Sequence, residues 1–198
     1  MKKFNLFIGV LILLMILSCS SDDDNDNQQP TVFGKLIVNE QSFDLTRGFI
    51  IPNYTGSDPN YNPRRFYFIL SNGGVTLKNN EFIYSDSITQ AIDFNMYSSA
   101  AKSGTIENTT YKNYIWDDPD PNFDFNQAYI THSGIDTNVV IQNSKYVSAN
   151  SISSDSLVGQ ASISNSNEIY SVSFSFSNSQ NAISGSFKGN LKDLNWEY

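Results

Sequence analysis

Between Tyr170 and Ser177, apolar and polar residues alternate without a break. Tyr170, Val172, Phe174 and Phe176 fall on one side and serines on the other. A period of two is the pattern of a strand with one buried face. After the polar stretch Asn178-Ser179-Gln180-Asn181, the alternation resumes through Ile183, Gly185, Phe187, Gly189 and Leu191. The two segments predict a hairpin that is apolar on one side, and the inward glycines predict a bend or close packing. Shorter runs predict strands at Lys35–Val38, Phe43–Leu45 with Phe49–Ile51, Arg65–Leu70, Val75–Leu77 with Phe82–Tyr84, Ala91–Tyr97, Tyr129–Thr131, Asn138–Gln142 and Leu157–Ile163. Asn72-Gly73-Gly74 and Asn79-Asn80 are turn signals between them. Helical periodicity is missing throughout, and no fixed repeat is visible. About eight to eleven short strands, each with one apolar face, predict an all-β fold: a single antiparallel β-barrel or a β-sandwich. A barrel would place Phe94, Met96, Phe174, Phe176 and Phe187 inside and leave a cavity at one mouth.

The N-terminus follows a different rule. Lys2 and Lys3 precede an unbroken apolar run from Leu6 to Leu17, which ends in Ser18-Cys19. The run is far shorter than the roughly 20 residues that a spanning helix needs. A charged start, a short apolar stretch and a small residue before the break predict a secretory signal over residues 1–18. Cys19, the chain's only cysteine, then stands where bacterial lipoprotein maturation attaches diacylglycerol, so residue 19 is the predicted lipidation site and mature N-terminus. With that thiol acylated, no disulfide and no thiolate metal site remains for the domain.

Residues 19–30 follow as Cys-Ser-Ser-Asp-Asp-Asp-Asn-Asp-Asn-Gln-Gln-Pro. Four acids and no other apolar side chain predict a solvated acidic tether. The run Cys19-Ser20-Ser21-Asp22-Asp23-Asp24 resembles the export signal of Bacteroidota lipoproteins, which implies a lipid anchor in the outer membrane with the domain facing outward. A plain acidic spacer on the periplasmic face is the alternative. Gly34–Leu45 and Ile183–Gly189 are similar to the opening and closing segments of small Bacteroidota lipoproteins. That resemblance implies a lipocalin-like or sandwich domain over residues 31–198 and says little about chemistry.

The chain carries a net charge of −8. Without Lys2, Lys3 and the four tether acids, the domain keeps ten basic and sixteen acidic residues. A surplus of acids argues against nucleic acid as a partner, because phosphate backbones need a basic surface.

Two polar, aromatic-bearing segments are candidate sites. The first, 53–63, contains Asp58-Pro59-Asn60-Tyr61, and the second, 116–126, contains Asp120-Pro121-Asn122-Phe123. Tyr61, Trp116 and Phe123 suit a sugar, which offers an apolar face to stack on and hydroxyls to bond. The alternative is a pair of Asp-Pro turns with the aromatics folded onto the core. In the second segment Asp118, Asp120, Asn122 and Asp124 place hard oxygen ligands at alternate positions, as a calcium loop does. Phe123 stands where an EF-hand has glycine, and no glutamate closes the loop. His132 is the only histidine and sits at a predicted strand end, with no nucleophile-elbow pattern nearby. The sequence therefore predicts a non-catalytic, lipid-anchored binding protein for a glycan, a lipid or another small ligand, with calcium as the one cofactor suggested. Its rival is a structural or accessory lipoprotein that acts through protein contacts and has no ligand pocket.

Overall fold

A computed structural model describes residues 33–52, 64–79, 81–99, 105–114, 126–153 and 157–194. Among them are fourteen strands and no helix. In chain order they are β1 (Gly34–Val38), β2 (Gln41–Leu45), β3 (Arg47–Pro52), β4 (Arg65–Ser71), β5 (Val75–Lys78), β6 (Glu81–Tyr84) and β7 (Gln90–Tyr97). The second half comprises β8 (Thr109–Asn113), β9 (Tyr129–Gln142), β10 (Lys145–Ser153), β11 (Val158–Ser166), β12 (Ile169–Ser177), β13 (Ala182–Gly189) and β14 (Leu191–Asp193).

Twelve of these form one large curled sheet in the order β14-β3-β4-β7-β9-β8-β11-β12-β13-β1-β2, with β10 on β9; β5 and β6 pair separately. The all-β expectation holds, but the hydrogen-bonded path starts at β14 and stops at β2, so the sheet is not a closed single barrel. Nor is it purely antiparallel, because β14 runs parallel to β3 and β8 parallel to β9. Only Thr46 separates β2 from β3. Its amide donates to the Ser71 carbonyl (2.8 Å) and its hydroxyl to that of Asn72 (3.0 Å). The chain itself thus turns the corner between the two ends of the sheet.

The fourteen strands differ from the predicted set in two directions: one merger, and three strands not predicted. The stretches read as Tyr129–Thr131 and Asn138–Gln142 are one strand, β9, because the intervening polar residues are paired across to β7. β8 has one deeply buried apolar side chain, Tyr111, and β10 alternates weakly, so neither stands out by period. Leu191 begins a separate strand that leaves β13 for β3.

The hairpins rest on local chemistry. Asn39-Glu40, Asn143-Ser144 and Asn167-Glu168 all have positive φ, between 48° and 72°. They join β1–β2, β9–β10 and β11–β12 through two-residue turns, the type whose twist matches that of the flanking strands. Asparagine tolerates the left-handed conformation better than most residues, which explains its place at the first turn position in all three.

Two apolar clusters hold the sheet. Inside the curl lie Phe68, Phe94, Met96, Phe174, Phe176 and Phe187 among others, so the five residues expected inside are all buried. On the opposite face, Phe49, Ile51, Ile69, Val75 and Ile88 form a second cluster with Tyr67, Phe82 and Tyr84. β3 and β4 are buried on both faces, which accounts for their continuous apolar runs Phe49-Ile50-Ile51 and Phe66-Tyr67-Phe68-Ile69-Leu70.

Gly185 makes room for this core. It pairs with Phe174 on β12, and a Cβ there would lie 2.4 Å from the Phe174 ring and 2.3 Å from the Lys35 carbonyl oxygen. Gly185→Ala is therefore expected to force β1 and the ring apart and cost about 1–3 kcal/mol. Urea unfolding checks this, and an unchanged midpoint would show that the sheet relaxes freely at that point.

Candidate functional site

The outer face of β8, β11, β12 and β13 carries an ordered array of hydroxyls. Register puts Thr110 opposite Ser162, Ser162 opposite Ser173, and Ser173 opposite Ser186, a single row across four strands. A second row runs from Ser164 through Ser171 to Lys188. Neighbouring strands are about 4.8 Å apart and successive rows about 6.7 Å apart, as strand geometry dictates. Strict alternation produces this array: each inward Ile163, Val172 or Phe187 forces the flanking residues outward, and those are serines or Lys188.

These rows line an open groove of about 630 Å³, with Phe33 and Asn108 among its other walls. The volume falls within the range of small-ligand sites, about 300–1,000 Å³. Phe33 as a residue is 46% exposed, and its ring rests 6.2 Å from the Phe187 ring, centroid to centroid. Its backbone is held on both sides, since its amide donates to the Leu45 carbonyl and its carbonyl accepts from the Lys188 amide. Thr110 and Ser162 share a 2.8 Å hydroxyl–hydroxyl bond. Each hydroxyl both donates and accepts, so the floor adapts to either sense of hydrogen bond. Lys188 is the only charged residue among the described lining.

Most of the residues singled out from sequence fall elsewhere. Cys19, Tyr61, Trp116 and Phe123, together with Asp118, Asp120, Asn122 and Asp124, lie outside the described residues, as do the signal and the acidic tether. The described strand ends that flank the two aromatic segments do meet. Pro52 pairs with Phe66, Arg65 with Tyr97, Tyr97 with Tyr129, and Tyr129 with Lys112. There Tyr97 and Tyr129 stack at 4.9 Å, 7° from parallel, with Tyr114 5.7 Å from Tyr129 and the Arg65 guanidinium 5.8 Å from the Tyr97 ring. His132 is not at a strand end. It is half-buried within β9, opposite Asn95, because the polar residues after it continue the strand.

Sequence reasoning missed the groove. Its one available signal was the run of serines on the polar side of β12, and that run does not reveal that three other strands align hydroxyls beside it. A scan against protein-family models, a search of curated proteins and a search of solved structures each returned no match.

Proposed function

We propose that the chain is a lipid-anchored, surface-exposed lipoprotein whose curled β domain binds a neutral glycan without transforming it. The observation that carries this reading is the hydroxyl-lined groove with an exposed aromatic ring and a single ammonium group among its described walls. A sugar presents hydroxyls that pair with Thr110, Ser162, Ser173 and Ser186, and an apolar ring face suited to Phe33. The anchor rests on the Ser18-Cys19 junction after the apolar run, and the outer-membrane location on the acidic residues behind it.

The test has two arms on the full chain. Labelled palmitate should be incorporated by the wild type and lost in Cys19→Ala. Neutral oligosaccharides of glucose, galactose, mannose and xylose should be screened by thermal melting. A ligand present at about 100 times its Kd stabilises the fold by about 2.7 kcal/mol, a rise of about 5–10 °C for a domain of this size. Ser162→Val with Ser173→Val should abolish that rise while leaving the unliganded melt close to wild type. If no sugar moves the melt, or if the double variant responds like the wild type, the groove is not the binding site.

One observation favours the accessory reading. Val140, Tyr146 and Val147 on β9 and β10 are all more than 40% exposed, an apolar strip of the kind that protein contacts cover.

A further inference from the structure

The row of hydroxyls in the groove continues beyond it. Ser186 pairs with Lys35 on β1, and Lys35 with Asp44 on β2. One line of Thr110, Ser162, Ser173, Ser186, Lys35 and Asp44 thus crosses six neighbouring strands, from β8 to β2. With gaps of about 4.8 Å between strands, the line is about 24 Å long. Lys35 and Asp44 end it as an ion pair, each side chain about half exposed.

Side-chain length gives this line the form of a shallow channel. Its first four members are serine or threonine, which keep the floor low. In the row on one side Gln160 pairs with Lys112, and both are exposed. On the other side stands Lys188, two residues from Ser186 along β13. Phe33 lies two residues before Lys35 and accepts the Lys188 amide on its carbonyl. A period of two puts each of these on the same face as the line. Long side chains therefore flank short ones, and the channel runs across the strands.

An extended polysaccharide advances by about one ring for each strand it crosses, because a pyranose is about as long as the gap between strands. One hydroxyl per strand then meets one sugar per step, and each Ser or Thr hydroxyl can donate or accept. A single sugar or a compact branched one touches only part of the line and leaves the remainder unused. We infer, resting on the glycan reading above, that the ligand is a linear neutral polysaccharide laid across β8 to β2 with about one sugar per strand. Lys35 and Asp44 form its last subsite. There the ammonium donates to sugar hydroxyls and the carboxylate accepts from them, and as a pair they add no net charge.

The test is calorimetric titration of the full chain with linear oligomers of glucose, mannose and xylose, graded from disaccharide to octasaccharide. For the sugar that binds, affinity should rise about 2- to 10-fold per added unit, the worth of a net hydrogen bond. It should level off near the hexasaccharide, since longer chains project past the line. Two variants remove the ends: Thr110→Val, and Lys35→Ala with Asp44→Ala. All three residues sit on the outer face, where an ion pair contributes little to stability, and circular dichroism verifies the fold. The hexasaccharide should bind more weakly to both variants. A trisaccharide cannot reach both ends, so at most one variant should weaken it. The inference is overturned, with the glycan reading intact, if the trisaccharide binds as tightly as the hexasaccharide. It is equally overturned if either end variant binds the hexasaccharide like the wild type. If no oligosaccharide of any length binds, the glycan reading fails and the inference falls with it.

Discussion

Replacing Phe94 by alanine is expected to remove about 3–5 kcal/mol of stability. Phe94 has no solvent exposure. Its ring lies 6.5 Å from that of Phe68 on β4, 5.6 Å from Phe174 and 5.8 Å from Phe176 on β12. β7 and β12 are far apart in the hydrogen-bonded order of the sheet, so backbone bonds do not hold them to each other. The aromatic cluster does. Alanine would leave a void that strands on both sides cannot fill without breaking their own registers, which is the situation in which the cavity cost is greatest. A total stability of about 5–15 kcal/mol is typical of such domains, so the variant would sit near the edge of folding. Phe94→Leu keeps most of the volume and should lose clearly less. Urea unfolding followed by tryptophan fluorescence measures both. A loss under about 1 kcal/mol for alanine would show that the two halves of the curl do not depend on this contact.

Asp93→Asn is expected to act in the opposite direction, and only in one range of pH. Burial pushes the Asp93 carboxyl up from 3.8 to about 7; the Tyr67 hydrogen bond pulls it down, and the negative charge of Asp136 adds to the rise. The folded state therefore holds this proton more tightly than the unfolded chain. Its contribution to stability is complete below about pH 4 and is lost as the pH rises through about 7. The wild type should weaken across that interval, by an amount on the order of 4 kcal/mol from this group. Asparagine carries no titrating proton, so the variant should show a flatter profile and exceed the wild type at pH 8. Melting curves at pH 4, 6 and 8 decide it. Parallel profiles for the two proteins would mean that Asp93 is not the group that titrates.

Much of the fold can be read from single segments. The β12–β13 hairpin, the inward Phe174, Phe176 and Phe187, and the β5–β6 hairpin around Asn79-Asn80 all follow from alternation and turn residues. These features are local: a period of two and a turn residue need no knowledge of what lies across the sheet. Reading fails where a strand draws its meaning from a distant partner. His132-Ser133-Gly134 reads as the end of a strand, yet Ser133 is fully buried and Gly134 makes room for an acid from β7. Thr109–Asn113 has too little alternation to be found alone, although β11 and β9 hold it on either side.

The polar groups that meet across the sheet divide in the same way. That serines face outward along β12 is legible in the sequence, because the buried phenylalanines between them leave no other orientation. That Thr110, Ser162, Ser173 and Ser186 form one row was decided by pairing registers that link segments distant in the chain. That the Asp93 carboxyl lies over Gly134 was likewise decided by the β7–β9 register and by a glycine with no side chain to keep the carboxyl away. By itself the sequence determined the all-β class and the inward face of the clearest strands, since each depends on residues within a few positions of one another. Only the tertiary structure decided which polar groups meet, because a shift of one residue in any of those registers sends the side chains to the other face of the sheet.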